Sequence, residues 1–294
     1  MVDEIVDFVS DRKINTDERC HYENKYGRIN KSANQNWFIC EEVKKKWYNQ
    51  DFPSGRDILE KMENIKDKKL LLLGNGLSIK EIYFAFMGGT VIFSDISVNA
   101  IIRSKKVLAQ CIYENNLDVQ FYAIDALKLP FDDMAFDYVY AFGMVHHLSD
   151  KLPFLKECHR VLKPRGKCIF FDDAYSPLWY RIKTGFLKQI MAFHHRRNKI
   201  SPADLVATYE GGFKEEQIKR WSCDAGFKDY FMIKREFLSY LYRSGLRKLF
   251  HLSNKNSKII QIGDHFFSQL DSKLLKSISW YQNNLIHMVW GFSR

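Results

Sequence analysis

No two cysteines in this sequence stand at CxxC spacing. Cys20, Cys40, Cys111, Cys158, Cys168 and Cys223 are scattered along 294 residues, which gives neither a zinc-ligand pattern nor a disulfide framework and fits reduced thiols in the cytoplasm. Also lacking is any unbroken apolar run of roughly 18 residues, the length a helix needs to cross a bilayer. The opening MVDEIVDFVSDRK is acidic and has no apolar centre, so it does not read as a secretory leader. No dense run of arginines interleaved with aromatics marks a nucleic-acid surface. These absences leave a soluble, cytoplasmic, globular protein as the expectation.

What the chain does have is apolar material. A hydrophobic share of 46% with 15% aromatics is enough to bury a full core over this length, in one enlarged domain or a domain with inserts. The formal charge of +10, from 45 basic and 35 acidic residues, attracts anionic partners in general but specifies none.

Residues 1–66 are polar, rich in Asn and Lys and punctuated by aromatics, and read as a helical N-terminal cap. From 67 to 294 the pattern becomes that of an α/β domain. KLLLL before Gly74 is a continuous apolar run of strand length, suited to a strand covered on both faces. Ile79, Ile82, Tyr83 and Phe86 then recur at helical spacing until Gly88 and Gly89. TVIFSD, a helix over 98–115, VQFYAID, FDYVYAF, a helix over 151–162 and GKCIFFDD follow in alternation. Such alternation predicts a Rossmann-like, mostly parallel sheet of seven strands with helices on both faces. Ligands bind such sheets at the carboxyl ends of the strands, which here are Gly74–Ser78, Asp95, Asp125 and the segment Ala141–His147.

The turn LLGNGLS is the first of these ends. Gly74 and Gly76 allow a ligand to approach the backbone where a Cβ would obstruct it, although any strand-to-helix turn favours glycine. SIKE, Ser78–Glu81, has the spacing of a capping box that satisfies the first amides of the next helix. Asp95 lies about 20 residues on, at the end of the second apolar strand, where an acid grips ribose hydroxyls. It is equally placed to cap the following helix, for which Ser97 is the better candidate. A dinucleotide fingerprint requires glycine where Ile79 stands, which disfavours a nicotinamide cofactor.

The block IDALKLPFDDMAFDYVYAFGMVHHLSDKLPFLKECHRVLKPRGKCIFFDD, Ile124–Asp173, together with Gly74, Gly76 and SDIS, resembles the class I S-adenosylmethionine-dependent methyltransferases, in the branch of the ubiquinone and menaquinone C-methyltransferases. The resemblance covers about 69–173 and, more loosely, GGFKEEQIKRWSCDAGFKDYFMI. It implies S-adenosylmethionine as cofactor. Gly74, Asn75 and Gly76 would pass beneath its methionine and ribose, Asp95 would bind the ribose hydroxyls, Ile96 would pack on adenine, and Asp125 would accept from the adenine amine. Ala126 and Phe142 would line the same pocket. The sequence departs from the family at Leu72, where an acid usually helps to anchor the methionine amine, at Ser78, usually glycine, and at KPRG, commonly Pro-Gly-Gly.

Methyl transfer is an in-line displacement that needs mainly alignment in a water-poor pocket. His147 is the candidate base where the acceptor must lose a proton, and packing is its competing role. No metal site is expected, and His194 and His195 read as a solvated helix end. Helical inserts are expected at about 175–212 and 243–282. In the first, Trp179, Ile182, Phe186, Ile190 and Phe193 form one stripe among basic residues, which fits packing on the core, a roof over an apolar acceptor, or contact with a membrane surface. Tyr22, Tyr26, Trp37 and Trp47 could complete a lid. The expected acceptor is a small apolar or aromatic molecule, methylated on oxygen, nitrogen or carbon. Nucleic acid is disfavoured, since AFGM stands where an Asn-Pro-Pro-aromatic motif would, yet some tRNA-modifying enzymes resemble this branch. A cofactor-binding scaffold without turnover is the alternative of another class.

Overall fold

The computed structural model describes residues 6–7, 43–44, 47, 54–76, 78–178, 212–242, 258–282 and 284–294. The expected stripe from Trp179 to Phe193, the His194–His195 pair, Tyr22, Tyr26 and Trp37 lie outside the described residues.

Eight strands form one sheet: β1 (Val6–Asp7), β2 (Lys69–Leu73), β3 (Thr90–Asp95), β4 (Val119–Ala123), β5 (Phe136–Phe142), β6 (Leu162–Asp173), β7 (Asp229–Arg235) and β8 (His287–Ser293). Their spatial order is β1-β4-β3-β2-β5-β6-β8-β7. All pairings from β1 to β6 are parallel, and β8 runs antiparallel to both β6 and β7. Seven strands match the alternation in the sequence; Val6–Asp7 adds an eighth at the edge, inside the segment expected to be purely helical. Leu70, Leu71, Leu72 and Leu73 are all buried, because helices cover both faces and alternate side chains enter opposite cores. Leu71 and Leu73 pack with Phe136, Phe154 and Trp290, whereas Leu70 and Leu72 pack with Phe84, Phe93, Tyr140 and Trp47.

The chain leaves β2 toward β3 and β4 on one side and returns to β5 and β6 on the other. This reversal parts the connections above β2 and β5 and opens a crevice there. The helix Val98–Glu114 begins where the sequence predicts, capped by Ser97, whose hydroxyl accepts the Ala100 amide at 3.2 Å. The helix after the glycines is only Ile82–Phe86. β6 starts at Leu162, four residues before the expected Gly166, because KPRG joins the strand through a register shift opposite Phe136–Tyr138, with Arg165 at φ 67°. Between β7 and β8 lie the helices Lys258–Ser277 and Ser279–Gln282. No helix among the described residues is long and apolar enough to cross a membrane.

Candidate cofactor and acceptor site

The site is assembled from the carboxyl ends of five neighbouring strands. β2 ends in Gly74, Asn75 and Gly76, with both glycines in the left-handed region at φ 61° and 54°, where a side chain is strained. The turn is tied to the next strand: the Asn75 amide donates to the Ser94 carbonyl at 2.9 Å, and the Gly76 amide donates to Asp95 Oδ2 at 2.7 Å. Asp95 Oδ1 accepts the Ser97 amide at 2.9 Å. This one carboxylate fastens the glycine turn and braces the start of the next helix. The Ser104 hydroxyl donates to the Gly76 carbonyl at 3.1 Å, which fixes the turn from below.

Asp125 lies next along the edge, since the Ile124 amide donates to the Asp95 carbonyl at 2.9 Å. Its Oδ1 accepts the Leu127 amide at 2.9 Å, which shapes the loop that carries Ala126. Ile96, Ala126 and Phe142 are half-buried, as residues lining a cleft would be. Phe142 closes the opposite wall, stacked on Phe171 at 4.6 Å. The structure thus brings Gly74, Asn75, Gly76, Asp95, Ile96, Asp125, Ala126 and Phe142 to one edge of the sheet.

A Cβ on Gly74 would lie 2.8 Å from Met144 Cβ and closer still to its Cγ. Gly74→Ala is expected to cost about 2–4 kcal/mol, the sum of a left-handed alanine and an overpacked contact. A denaturant titration measures it; a loss below about 0.5 kcal/mol would show that the turn tolerates a side chain.

The capping box expected at Ser78–Glu81 does not form. The Ser78 hydroxyl donates to Glu81 Oε2 at 2.6 Å, and no side chain caps the helix Ile82–Phe86. The helix starts too late for the serine to reach its amides, so the serine hydroxyl turns to one oxygen of Glu81 instead. Glu81 is fully buried, and this burial pushes its carboxyl above the ordinary value, against the opposing pull of Lys80 and Ser78.

Beyond β5, Val145–His147 forms a 3₁₀ turn. The rings of His146 and His147 lie 4.1 Å apart. The buried carboxylate here partners His146 rather than His147: His146 Nδ1 is 2.8 Å from Asp172 Oδ1, and Trp290 Nε1 donates to Asp172 Oδ2 at 3.2 Å. Burial pushes the Asp172 carboxyl up, while the bonds from His146 and Trp290 pull it back down. The sequence reading gave no role to Asp172 or Trp290 and only a capping role to Glu81. The signal for Asp172 was the pair of acids closing FFDD, at the same sheet edge as Asp95 and Asp125.

Residues 71–170 match the family model described as "Methyltransferase domain". Over about a third of its length the chain is similar to that family. The match spans 71–170, from β2 into β6, and so encloses the glycine turn, Asp95, Asp125 and the histidine pair. The demethylmenaquinone methyltransferase of Staphylococcus epidermidis is 33% identical over 126 residues, 41% of this chain and 51% of that protein. The match therefore spans about half the length of that relative.

Among solved structures, geranyl diphosphate C-methyltransferase from Streptomyces coelicolor, in complex with geranyl diphosphate, magnesium and S-adenosylhomocysteine, aligns with a TM-score of 0.54. Identity is 12%, over 91% of this chain and 89% of that one. Haemonchus contortus phosphoethanolamine N-methyltransferase 2, in complex with S-adenosylmethionine, aligns at TM-score 0.53 and 16% identity, over 92% of this chain and 59% of that one. At such identities the likeness is one of fold. The Haemonchus contortus neighbour holds S-adenosylmethionine, and in this chain the turn at Gly74 leaves no room for a side chain. Among the described residues no group of three or more His, Cys, Asp or Glu could hold a metal.

Proposed function

We propose that the chain is an S-adenosylmethionine-dependent methyltransferase acting on a small apolar or aromatic acceptor. The observation that carries this reading is the single carboxylate of Asp95, which holds the Gly76 amide at 2.7 Å beside two glycines at positive φ. Such a turn leaves room for a ribose against bare backbone. In this reading Gly74, Asn75 and Gly76 lie under the methionine and ribose, Asp95 takes the ribose hydroxyls, Ile96 and Ala126 flank the adenine, Asp125 accepts its amine, and Phe142 forms the far wall. Bound there, the cofactor supplies a methyl group on a positively charged sulfur. The protein's own part is to align the acceptor and keep water out.

His147 was the base expected from sequence. The geometry favours its neighbour: His146 is oriented by Asp172, and Asp172 in turn by Trp290. An imidazole whose Nδ1–H is held by a buried carboxylate presents its other nitrogen as a proton acceptor. We assign that task to His146 and the shaping of the turn to His147.

The nature of the acceptor is supported by relatives named for a demethylated menaquinone and for a 27-O-demethylated rifamycin, both small organic molecules. RNA is set aside for want of a basic, aromatic-rich run. The inserts at about 175–212 and 243–282 and the cap 1–66 are assigned to acceptor binding, and membrane-surface contact would help only with a lipophilic acceptor. Four cysteines of the described residues are free thiols, in keeping with a cytoplasmic location.

The test is transfer of radiolabel from methyl-tritiated S-adenosylmethionine to a panel of demethylated quinones, phenols and amines, with bulk tRNA as a parallel acceptor. Label in an organic extract supports the proposal. Label in tRNA alone would overturn the acceptor class. Tight cofactor binding with no transfer to any acceptor would favour a scaffold without turnover, a reading motivated by the apolar Leu72.

A further inference from the structure

One buried charge in the domain is left without a complete set of partners. Glu81 is fully buried, and while its Oε2 accepts from Ser78, its Oε1 has no hydrogen-bond partner among the described residues. The Tyr140 hydroxyl shares that condition, and burial, with the field of Glu81 second, holds its phenol well above the ordinary value. An isolated carboxylate taken out of water is costly unless a cation or several donors compensate it. Two such groups, each unsatisfied and one within the field of the other, mark a place where a ligand completes the set.

Their position says which ligand. Glu81 is tied by Ser78 to the glycine turn, since the Asn75 side-chain amide donates to the Ser78 carbonyl. Tyr140 is register-paired with Leu72 across β2 and β5, so its ring stands beside the strand that leads into that turn. Phe84 meets Tyr140 edge-on at 5.5 Å, and Trp47 lies 6.3 Å from it, which keeps the surroundings apolar. Leu72 offers this pocket no charge. The remaining charged neighbour is Lys80, whose Nζ stands 3.6 Å over the Phe142 ring. Phe142 is thus already a platform for a cation.

Resting on the cofactor reading above, we propose that Glu81, seconded by the Tyr140 hydroxyl, receives the α-ammonium of bound S-adenosylmethionine, a task Leu72 cannot perform. An ammonium delivered to Oε1 supplies the missing donor and the compensating charge together.

The sign of the stability effect separates this role from a structural one. A carboxyl raised in the folded state favours folding fully only below the ordinary carboxylate range. That contribution is lost as pH rises through the raised value. Ligand-free protein at neutral pH therefore bears a cost that Glu81→Gln removes. A structural acid would behave oppositely.

The experiment is calorimetric titration of the full chain and its E81Q variant with S-adenosylhomocysteine and with 5′-methylthioadenosine, which lacks the amino-acid end, alongside ligand-free melting at pH 7 and pH 5. The expected result is S-adenosylhomocysteine affinity about 10- to 100-fold weaker in E81Q. Methylthioadenosine affinity should change less than about threefold. The ligand-free Tm should be higher than that of the parent at pH 7, by a margin that shrinks at pH 5. Unchanged S-adenosylhomocysteine affinity overturns the proposal, and so does an equal loss for both ligands, which would show general damage to the site. A parent protein that binds neither ligand would instead overturn the cofactor reading on which the proposal rests. Tyr140→Phe, which removes only the hydroxyl, provides the same comparison in a second variant, with a smaller selective loss expected.

Discussion

Asp95→Asn is expected to weaken S-adenosylhomocysteine binding by at least about 100-fold, although it changes only one atom. The parent carboxylate receives the Gly76 amide on one oxygen at 2.7 Å and the Ser97 amide on the other at 2.9 Å. Asparagine has a single acceptor oxygen, so one of the two backbone amides would face an NH₂ group. The bond to Gly76 positions the turn, and its loss lets the glycine backbone drift from the ribose. The ligand hydroxyls meanwhile lose charge-assisted acceptors, each worth about 1.5–3 kcal/mol. Stability should fall by about 1–3 kcal/mol for the stranded amide. Titration calorimetry and a denaturant melt measure the two effects together. Affinity within threefold of the parent would show that Asp95 serves the fold alone.

The second large effect concerns the proton. With an acceptor that must be deprotonated, His146→Gln is expected to lower kcat by about 10²–10⁴, while the KM for the cofactor stays within about threefold. His147→Gln should change kcat by less than tenfold, because the buried Asp172 carboxylate is engaged by His146. Asp172→Asn should fall between them. An asparagine that turns its oxygen to His146 presents its NH₂ to the Trp290 indole, and the opposite orientation strands the imidazole N–H. Trp290→Phe removes the indole donor and is expected to lower kcat modestly without affecting cofactor affinity. Steady-state kinetics at saturating acceptor decides the order. A His147 variant more impaired than the His146 variant would reinstate the sequence expectation.

The sheet was legible in the sequence because its central strands are buried on both faces: Leu70–Leu73 read as an unbroken apolar run. Asp95 and Asp125 drew notice because each is the acid that follows an apolar-rich strand pattern, TVIFSD and VQFYAID. Val6–Asp7 was not legible, since two residues of edge strand carry no period to detect. SIKE shows why spacing alone misleads. Serine and glutamate three apart fit a capping box, but whether they face amides or each other depends on where the helix begins, and it begins at Ile82. The choice between His146 and His147 likewise depends on the phase of one 3₁₀ turn, which adjacent identical residues cannot reveal. The strand pattern GKCIFFDD begins only at Gly166, while Arg165 at φ 67° lets KPRG join β6.

The sheet edge from Gly74 to Asp125 thus combines bare backbone, a doubly bonded carboxylate and a second acid at the ends of three neighbouring strands. Whether that edge holds an adenosine is the question on which all else depends. Titration of the full chain with S-adenosylhomocysteine tests it most directly. The account predicts saturable binding of one molecule per chain, competed by S-adenosylmethionine and lost in Asp95→Asn. Absence of heat with either ligand at concentrations up to about 1 mM, where a site worth about 4 kcal/mol would still be seen, would contradict it.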